Sequence, residues 1–228
     1  MTSWHSIIFL CSGGGGNLRF IQSLVKSGNL PGFDSVSVIA DRECQAVDWS
    51  SANGLKTDIV SISRENQADL IAACTLHAPS VIVTNVHKII GSGILDAYKN
   101  RILNLHYSLL PAFGGTIGMK SLSNALSYGS KIVGATAHHV TEALDSGPPI
   151  AQVAFGLVDD LINENTKDLM FRAGCIALYT ALFALNDSCP PLDPAKSILV
   201  KGAIFLVSPP CELPSALEHE DFWETLRA

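Results

Sequence analysis

An amide and an imidazole two residues apart, Asn104 and His106, close the apolar run that begins Ile102-Leu103. In an extended segment alternate side chains leave the same face, so the two can aim at one point. An acid follows at Asp145, in the stretch Asp145-Ser146-Gly147-Pro148-Pro149, whose glycine and prolines can fix its direction. These three groups meet the demands of acyl transfer to an amine. The attacked carbonyl develops negative charge, which an Asn104 N–H and a protonated His106 can stabilise as an oxyanion hole. Asp145 favours the charged imidazole and, directly or through water, takes the proton that the amine loses. No covalent intermediate is needed, and Ser108 lacks the GxSxG setting of a nucleophile. The plain alternative for Asn104 and His106 is a hydrogen-bonded cap at a strand end. Thr136 and His138, two apart on a later segment, are candidates to support the acid.

A second cluster is Ser12-Gly13-Gly14-Gly15-Gly16-Asn17, directly behind the apolar run Ile7-Ile8-Phe9-Leu10. Glycines remove every Cβ from the turn, so backbone N–H groups can close on an anion at the positive end of a helix. Gly14, Gly15, Gly16 and Asn17 are therefore candidates to hold a phosphate. A flexible loop is the bland reading. The chemical rival is a dinucleotide fingerprint, whose third glycine would fall at Leu18 or Arg19, although Asp41 stands where a ribose-binding acid belongs. A phosphate monoester needs only the turn and the helix end.

Positioning these groups requires strands that end where they lie. Short Val- and Ile-rich runs alternate with helical periods, the pattern of a parallel sheet covered by helices. Strands are expected over residues 6–11, 35–40, 57–61, 80–84 and 102–106, and helices over 18–27, 44–53, 64–77 and 94–98. Beyond Pro111 the pattern predicts a helix over 120–128, strands over 131–140, 149–155 and 203–207, and helices over 165–185 and 216–226. The fold class is α/β, Rossmann-like and doubly wound, mainly parallel with a mixed C-terminal portion. One domain is expected, with a phosphate-binding half over 1–110 and a second half over 111–228.

At 228 residues, with 47% apolar and 16% charged residues, the chain is neither disordered nor short of a core. A net charge of −6 without a Lys/Arg run excludes a nucleic-acid footprint. The longest apolar runs are far too short to span a bilayer, and the N-terminus lacks a secretory pattern, so a cytoplasmic location is expected. Six scattered cysteines without metal spacing read as reduced structural thiols, and no metal is expected.

SGGGGNL at Ser12 to Leu18, NLHYSLLP at Asn104 to Pro111, and HHVTEALDSGPPIAQ at His138 to Gln152 together resemble the phosphoribosylglycinamide formyltransferase family of folate-dependent enzymes. The likeness spans about the first 180 residues. It implies a formyltransferase fold and 10-formyltetrahydrofolate as cosubstrate. The folate would lie near Lys88, Ile89, Ile90 and the loop Val140, Thr141, Glu142 to Asp145. Asn104, His106 and Asp145 become its catalytic trio and the glycines with Asn17 its acceptor-phosphate site. Against the family pattern stand Tyr107 for a proline, Ala112 for a lysine, Ile117 and Met119 for polar residues, and Gly174 or Cys175 for an acceptor-binding acid. The chemistry is thus expected to persist with an altered acceptor pocket, as a monomer or homodimer. The activities to weigh are N-formyl transfer to a small, phosphorylated amine such as glycinamide ribonucleotide, transfer to a diverged amine outside purine synthesis, and formyltetrahydrofolate hydrolysis. A non-catalytic or dinucleotide-binding module is the remaining alternative.

Overall fold

The computed structural model describes residues 5–63, 67–86, 88–157, 163–185 and 195–226. By packing, the chain forms two compact units, one of residues 1–104 with 139–142, the other of 105–138 with 143–228. The sequence placed the division after residue 110. It falls instead within one strand, between Asn104 and Leu105.

The first unit contains β1 (Ser6–Cys11), α1 (Gly16–Lys26), β2 (Ser35–Ala40), α2 (Gln45–Ala52), β3 (Thr57–Ile59), α3 (Ala68–His77), β4 (Val81–Asn85), α4 (Ser92–Ala97) and the start of β5 (Ile102–His106). Its strands lie in the order β3-β2-β1-β4-β5, all parallel. Ile7, Ile8, Phe9 and Leu10 are fully buried, which is why β1 reads as a continuous apolar run rather than an alternation. Gly28 and Gly54 sit left-handed just beyond α1 and α2, where the last turn of a helix needs them. The strand order reverses between β1 and β4, the point at which doubly wound sheets bind ligands beyond their carboxyl ends. Two expected site segments leave from there, the Gly-rich turn after β1 and residues 88–90 after β4.

The second unit continues with α5 (Lys120–Tyr128), β6 (Ile132–His139), β7 (Pro149–Gly156), α6 (Glu164–Leu185), β8 (Lys196–Val200), β9 (Ala203–Ser208) and α7 (Glu220–Thr225). Its strands run β6-β7-β9-β8, and each of these ladders is antiparallel. β8 escaped the sequence reading. It is bounded by Lys201 and Gly202, both at positive φ (48° and 80°), a two-residue turn of the hairpin-forming kind between Val200 and Ala203. The last expected helix divides into a 3-10 turn at Ser215–Glu218 and the short α7. Residues 64–66, the expected start of α3, lie outside the described residues.

α6 corrects the expectation about apolar runs. By length and composition this helix could cross a membrane, yet 72% of its most apolar stretch is buried inside the protein. It is a core helix.

Candidate active site

His106, at the end of β5, is 5% exposed, and both of its ring nitrogens are engaged. Nδ1 lies 3.2 Å from Asp145 Oδ2, while Nε2 lies 3.1 Å from the Phe113 carbonyl oxygen and 3.3 Å from Ser121 Oγ. A carboxylate and a carbonyl are both acceptors, so both contacts are hydrogen bonds only when each ring nitrogen carries a proton. Thirty-nine positions apart in sequence, the imidazole and the acid meet, an ion pair when the imidazole is protonated. Asp145 is itself fixed by the Gly115 N–H, which donates to Oδ2 at 2.7 Å. His138 Nε2 stands 3.7 Å from Oδ1, a second cationic partner when protonated.

The backbone is strained at both ends of this arrangement. Phe113 and Asp145 adopt left-handed conformations, φ 56° and 50°, at a cost of roughly 1–2 kcal/mol each for an L-residue. Asx residues tolerate this region and phenylalanine does not, so the Phe113 turn must be held by its surroundings. Thr116 Oγ1 donates to the same Phe113 carbonyl at 2.8 Å, and its partner Ser121 Oγ lies 2.6 Å away. Strain of this kind gathers where a side chain or carbonyl must be aimed.

Thr136 and His138 were expected to act together on the acid, and the structure separates them. A bulge in the β6–β7 ladder falls between Ala137 and His138, and such irregularities re-aim side chains. His138 turns to Asp145. Thr136 instead splices the segment after His106: its hydroxyl donates to Ser108 O at 2.7 Å and accepts from the Leu110 N–H and from Gln152 Nε2. Ser108, never a strong nucleophile candidate, donates its own hydroxyl to Ala112 O.

Asn104 belongs to the first unit and is held by Thr84 on β4. Its Nδ2 donates to Thr84 O at 3.0 Å and to Thr84 Oγ1 at 2.9 Å. The amide N–H expected to stabilise an oxyanion is therefore spent on the neighbouring strand in this arrangement.

The Gly-rich turn has the geometry of a cradle. Gly15, at φ 71°, caps α1, and a Cβ built there would come within 2.9 Å of Ala46 Cβ. Gly14 is exposed, Gly16 opens the helix, and Asn17 in its first turn is buried. No carboxylate occupies that first turn, so the positive end of α1 is left for an outside anion. Asp41, the acid a dinucleotide would need, is already taken: Arg42 donates to its two oxygens at 3.0 and 2.7 Å. Those bonds, with smaller help from Ser12 and the charge of Lys88, hold the Asp41 carboxyl below its usual range. Cys11 beside the turn is buried, which pushes its thiol up to about 12 and removes it as a nucleophile.

The residues expected near folate fall in the first unit except Asp145. Ile90 is buried in a cluster with Ile94 and Ile102, against which Val140 packs, and the Val140 N–H donates to Ile102 O at 2.9 Å. Ile89, Lys88, Thr141 and Glu142 are exposed. An apolar floor under exposed polar edges suits a flat heteroaromatic ring. Sequence reading missed Gln67, whose Oε1 accepts the Gly91 N–H at 3.2 Å and steadies the 88–91 segment. It also missed Thr84 and Ser121, because an isolated hydroxyl in an apolar strand or helix carries no pattern. Among the described residues no group of three His, Cys, Asp or Glu side chains could hold a metal.

Of the positions that depart from the family pattern, two touch. A Cβ built on Gly174, within the buried stretch of α6, would meet Tyr107 Cε1 at 2.5 Å and Leu105 Cδ2 at 3.1 Å. The glycine makes room for the tyrosine ring next to His106.

A family profile described as Formyl transferase matches residues 5–181. The phosphoribosylglycinamide formyltransferase of Mycobacterium tuberculosis (strain CDC 1551 / Oshkosh) is 33% identical over 159 residues, covering 67% of this chain and 72% of that protein. The formyltetrahydrofolate deformylase of Haemophilus influenzae is 37% identical over 116 residues, 47% of this chain and 40% of that one. Among solved structures, glycinamide ribonucleotide transformylase 1 from Symbiobacterium toebii superposes with a TM-score of 0.75 at 26% identity, covering 85% of this chain and 92% of that one.

Proposed function

Because the chain belongs to the formyl transferase family, we propose that it is a 10-formyltetrahydrofolate-dependent N-formyltransferase whose acceptor is a small phosphorylated amine. The observation that carries this reading is the His106 imidazole held on one side by Asp145 and on the other by the Phe113 carbonyl. The amine lone pair attacks the formyl carbon, and the C=O electrons move to oxygen. The His106 Nε2–H, exchanged from the Phe113 carbonyl to that oxygen, stabilises the charge. The amine proton passes to Asp145 directly or through water, and collapse of the intermediate returns a proton to the departing folate nitrogen. The Gly14 to Asn17 turn takes the acceptor's phosphate, and Lys88 to Ile90 with Val140 to Glu142 take the folate. Glycinamide ribonucleotide, the acceptor class named by the relatives, offers the required primary amine and phosphate monoester.

The deformylase relative supports one other reading, in which water replaces the amine. Tetrahydrofolate release is followed with 10-formyltetrahydrofolate and a panel of phosphorylated and free amines. Release that depends on a phosphorylated primary amine is expected. Equal release without any amine assigns hydrolysis instead, and no release under either condition rejects both.

A further inference from the structure

The far side of the His106 ring is bordered by a carbonyl and two hydroxyls, all within the second unit. The Phe113 carbonyl can only accept, so Thr116 Oγ1, 2.8 Å away, commits its single proton to it. The 2.6 Å contact between Thr116 Oγ1 and Ser121 Oγ then has one polarity, with Ser121 donating and Thr116 accepting. The other outlet for the Ser121 proton is Gly118 O at 3.3 Å, and in either case none is left for His106. Ser121, fully buried, therefore meets Nε2 at 3.3 Å as an acceptor. With a proton on Nε2, every one of these contacts is a hydrogen bond, and the Phe113 carbonyl has two donors: His106 Nε2–H at 3.1 Å and the Thr116 hydroxyl. The left-handed backbone of Phe113, φ 56°, aims that carbonyl, and two residues later the Gly115 N–H holds Asp145 on the other side of the ring.

We propose that Thr116 is a positioning residue that makes His106 releasable: by keeping its own hydrogen bond on the Phe113 carbonyl, it frees the His106 Nε2–H to move onto the formyl oxygen as negative charge develops there. This rests on the formyl-transfer reading of the site. A carbonyl deserted by its last donor at a site where His106 is 5% exposed costs about as much as a lost hydrogen bond, and that cost would add to the barrier. The Phe113 carbonyl is not deserted, because the Thr116 hydroxyl stays. Ser121 sets the polarity, since its proton on Thr116 Oγ1 leaves the Thr116 proton pointing at the carbonyl. No proton changes owner in the exchange; Nε2–H trades one acceptor for another. The formyl oxygen of the bound donor is a neutral carbonyl with no advantage over that of Phe113, whereas an oxyanion is the stronger acceptor. The gain therefore belongs to the transition state. Thr116 touches no reacting atom and acts only through His106.

The test uses the whole chain with 10-formyltetrahydrofolate and the amine on which the wild type turns over. Thr116→Val removes the hydroxyl but keeps the shape, and is expected to lower kcat about tenfold, the size of one hydrogen bond, with KM for both substrates unchanged. Thr116→Ser, which restores the hydroxyl, is expected to recover most of the loss. A double-mutant cycle separates this role from a merely structural one. On a His106→Ala background there is no Nε2–H to release, so adding Thr116→Val is expected to leave the residual kcat where it was. A Thr116→Val enzyme with wild-type kcat overturns the assignment, as does a loss on the His106→Ala background equal to that on the wild type. A Thr116→Val effect confined to KM overturns it too, because it would mark a contact made before charge develops. A wild-type protein that transfers no formyl group to any amine defeats instead the reading on which the proposal stands.

Discussion

Asp145 is the residue on which geometry and chemistry converge. Its left-handed backbone, the Gly115 N–H on Oδ2 and the His106 ring on the same oxygen leave the carboxylate little freedom. Asparagine tolerates the same backbone and the same size but brings no charge and cannot accept a proton. Asp145→Asn is therefore expected to fold with a Tm close to that of the wild type while kcat falls by about 10²-fold or more, the usual worth of a positioned proton acceptor. Thermal unfolding and steady-state turnover on one preparation check this. A large loss of Tm would mean that Asp145 holds the fold rather than the reaction.

Glycine inside a helix costs about 1 kcal/mol relative to alanine, and α6 accepts that cost at Gly174 in a stretch that is otherwise buried and apolar. The reason is the Tyr107 ring 2.5 Å from where a Cβ would sit. Gly174→Ala is expected to destabilise the protein by about 1–2 kcal/mol, since overpacking outweighs the gain in helix propensity. Adding Tyr107→Ala should relieve the clash, so that the double variant is less destabilised than the sum of the two singles. Urea denaturation of the four proteins measures the coupling, and strict additivity would place the tyrosine and the glycine in separate environments. The same element-level reasoning explains the hairpin of β8 and β9, where Lys201-Gly202 supplies the two left-handed residues that a tight turn needs.

Across the second unit, distant segments are tied by one buried cation. Arg172 on α6, 2% exposed, donates to Asp168 at 3.0 Å and to Glu220 on α7, and lies over the Trp223 ring at 4.8 Å. The hydrogen bond from Arg172 is the main reason the Glu220 carboxyl falls below its ordinary value of 4.5. A carboxyl depressed in the folded state stabilises the protein above its unfolded value and loses that contribution as pH falls through the folded one. Glu220→Gln is thus expected to be less stable than the wild type near neutral pH, with the gap closing below about pH 4.5. Denaturant midpoints at several pH values check this, and a gap independent of pH would mean that charge is not the source.

Sequence alone settled what depends on local rules. Buried parallel strands had to be continuous runs of Val and Ile, so β1, β2 and β5 were legible to the residue. Glycines at 28 and 54 marked helix ends, and the spacing of Asn104 and His106 announced chemistry at a strand end. Chain-distant contacts carry no such local signal: the pairing of Asp145 with His106 was suggested only by the chemistry the two could share and by the family likeness, and nothing in the string says that the Phe113 carbonyl takes the far ring nitrogen or that Thr84 consumes both protons of Asn104. Hydrogen bonds depend on where two atoms arrive in space, and tertiary packing alone brings residues 84 and 104, or 106 and 145, within reach. The residue types were written in the chain; which of them donate, which accept and which are already occupied was decided only by the folded structure.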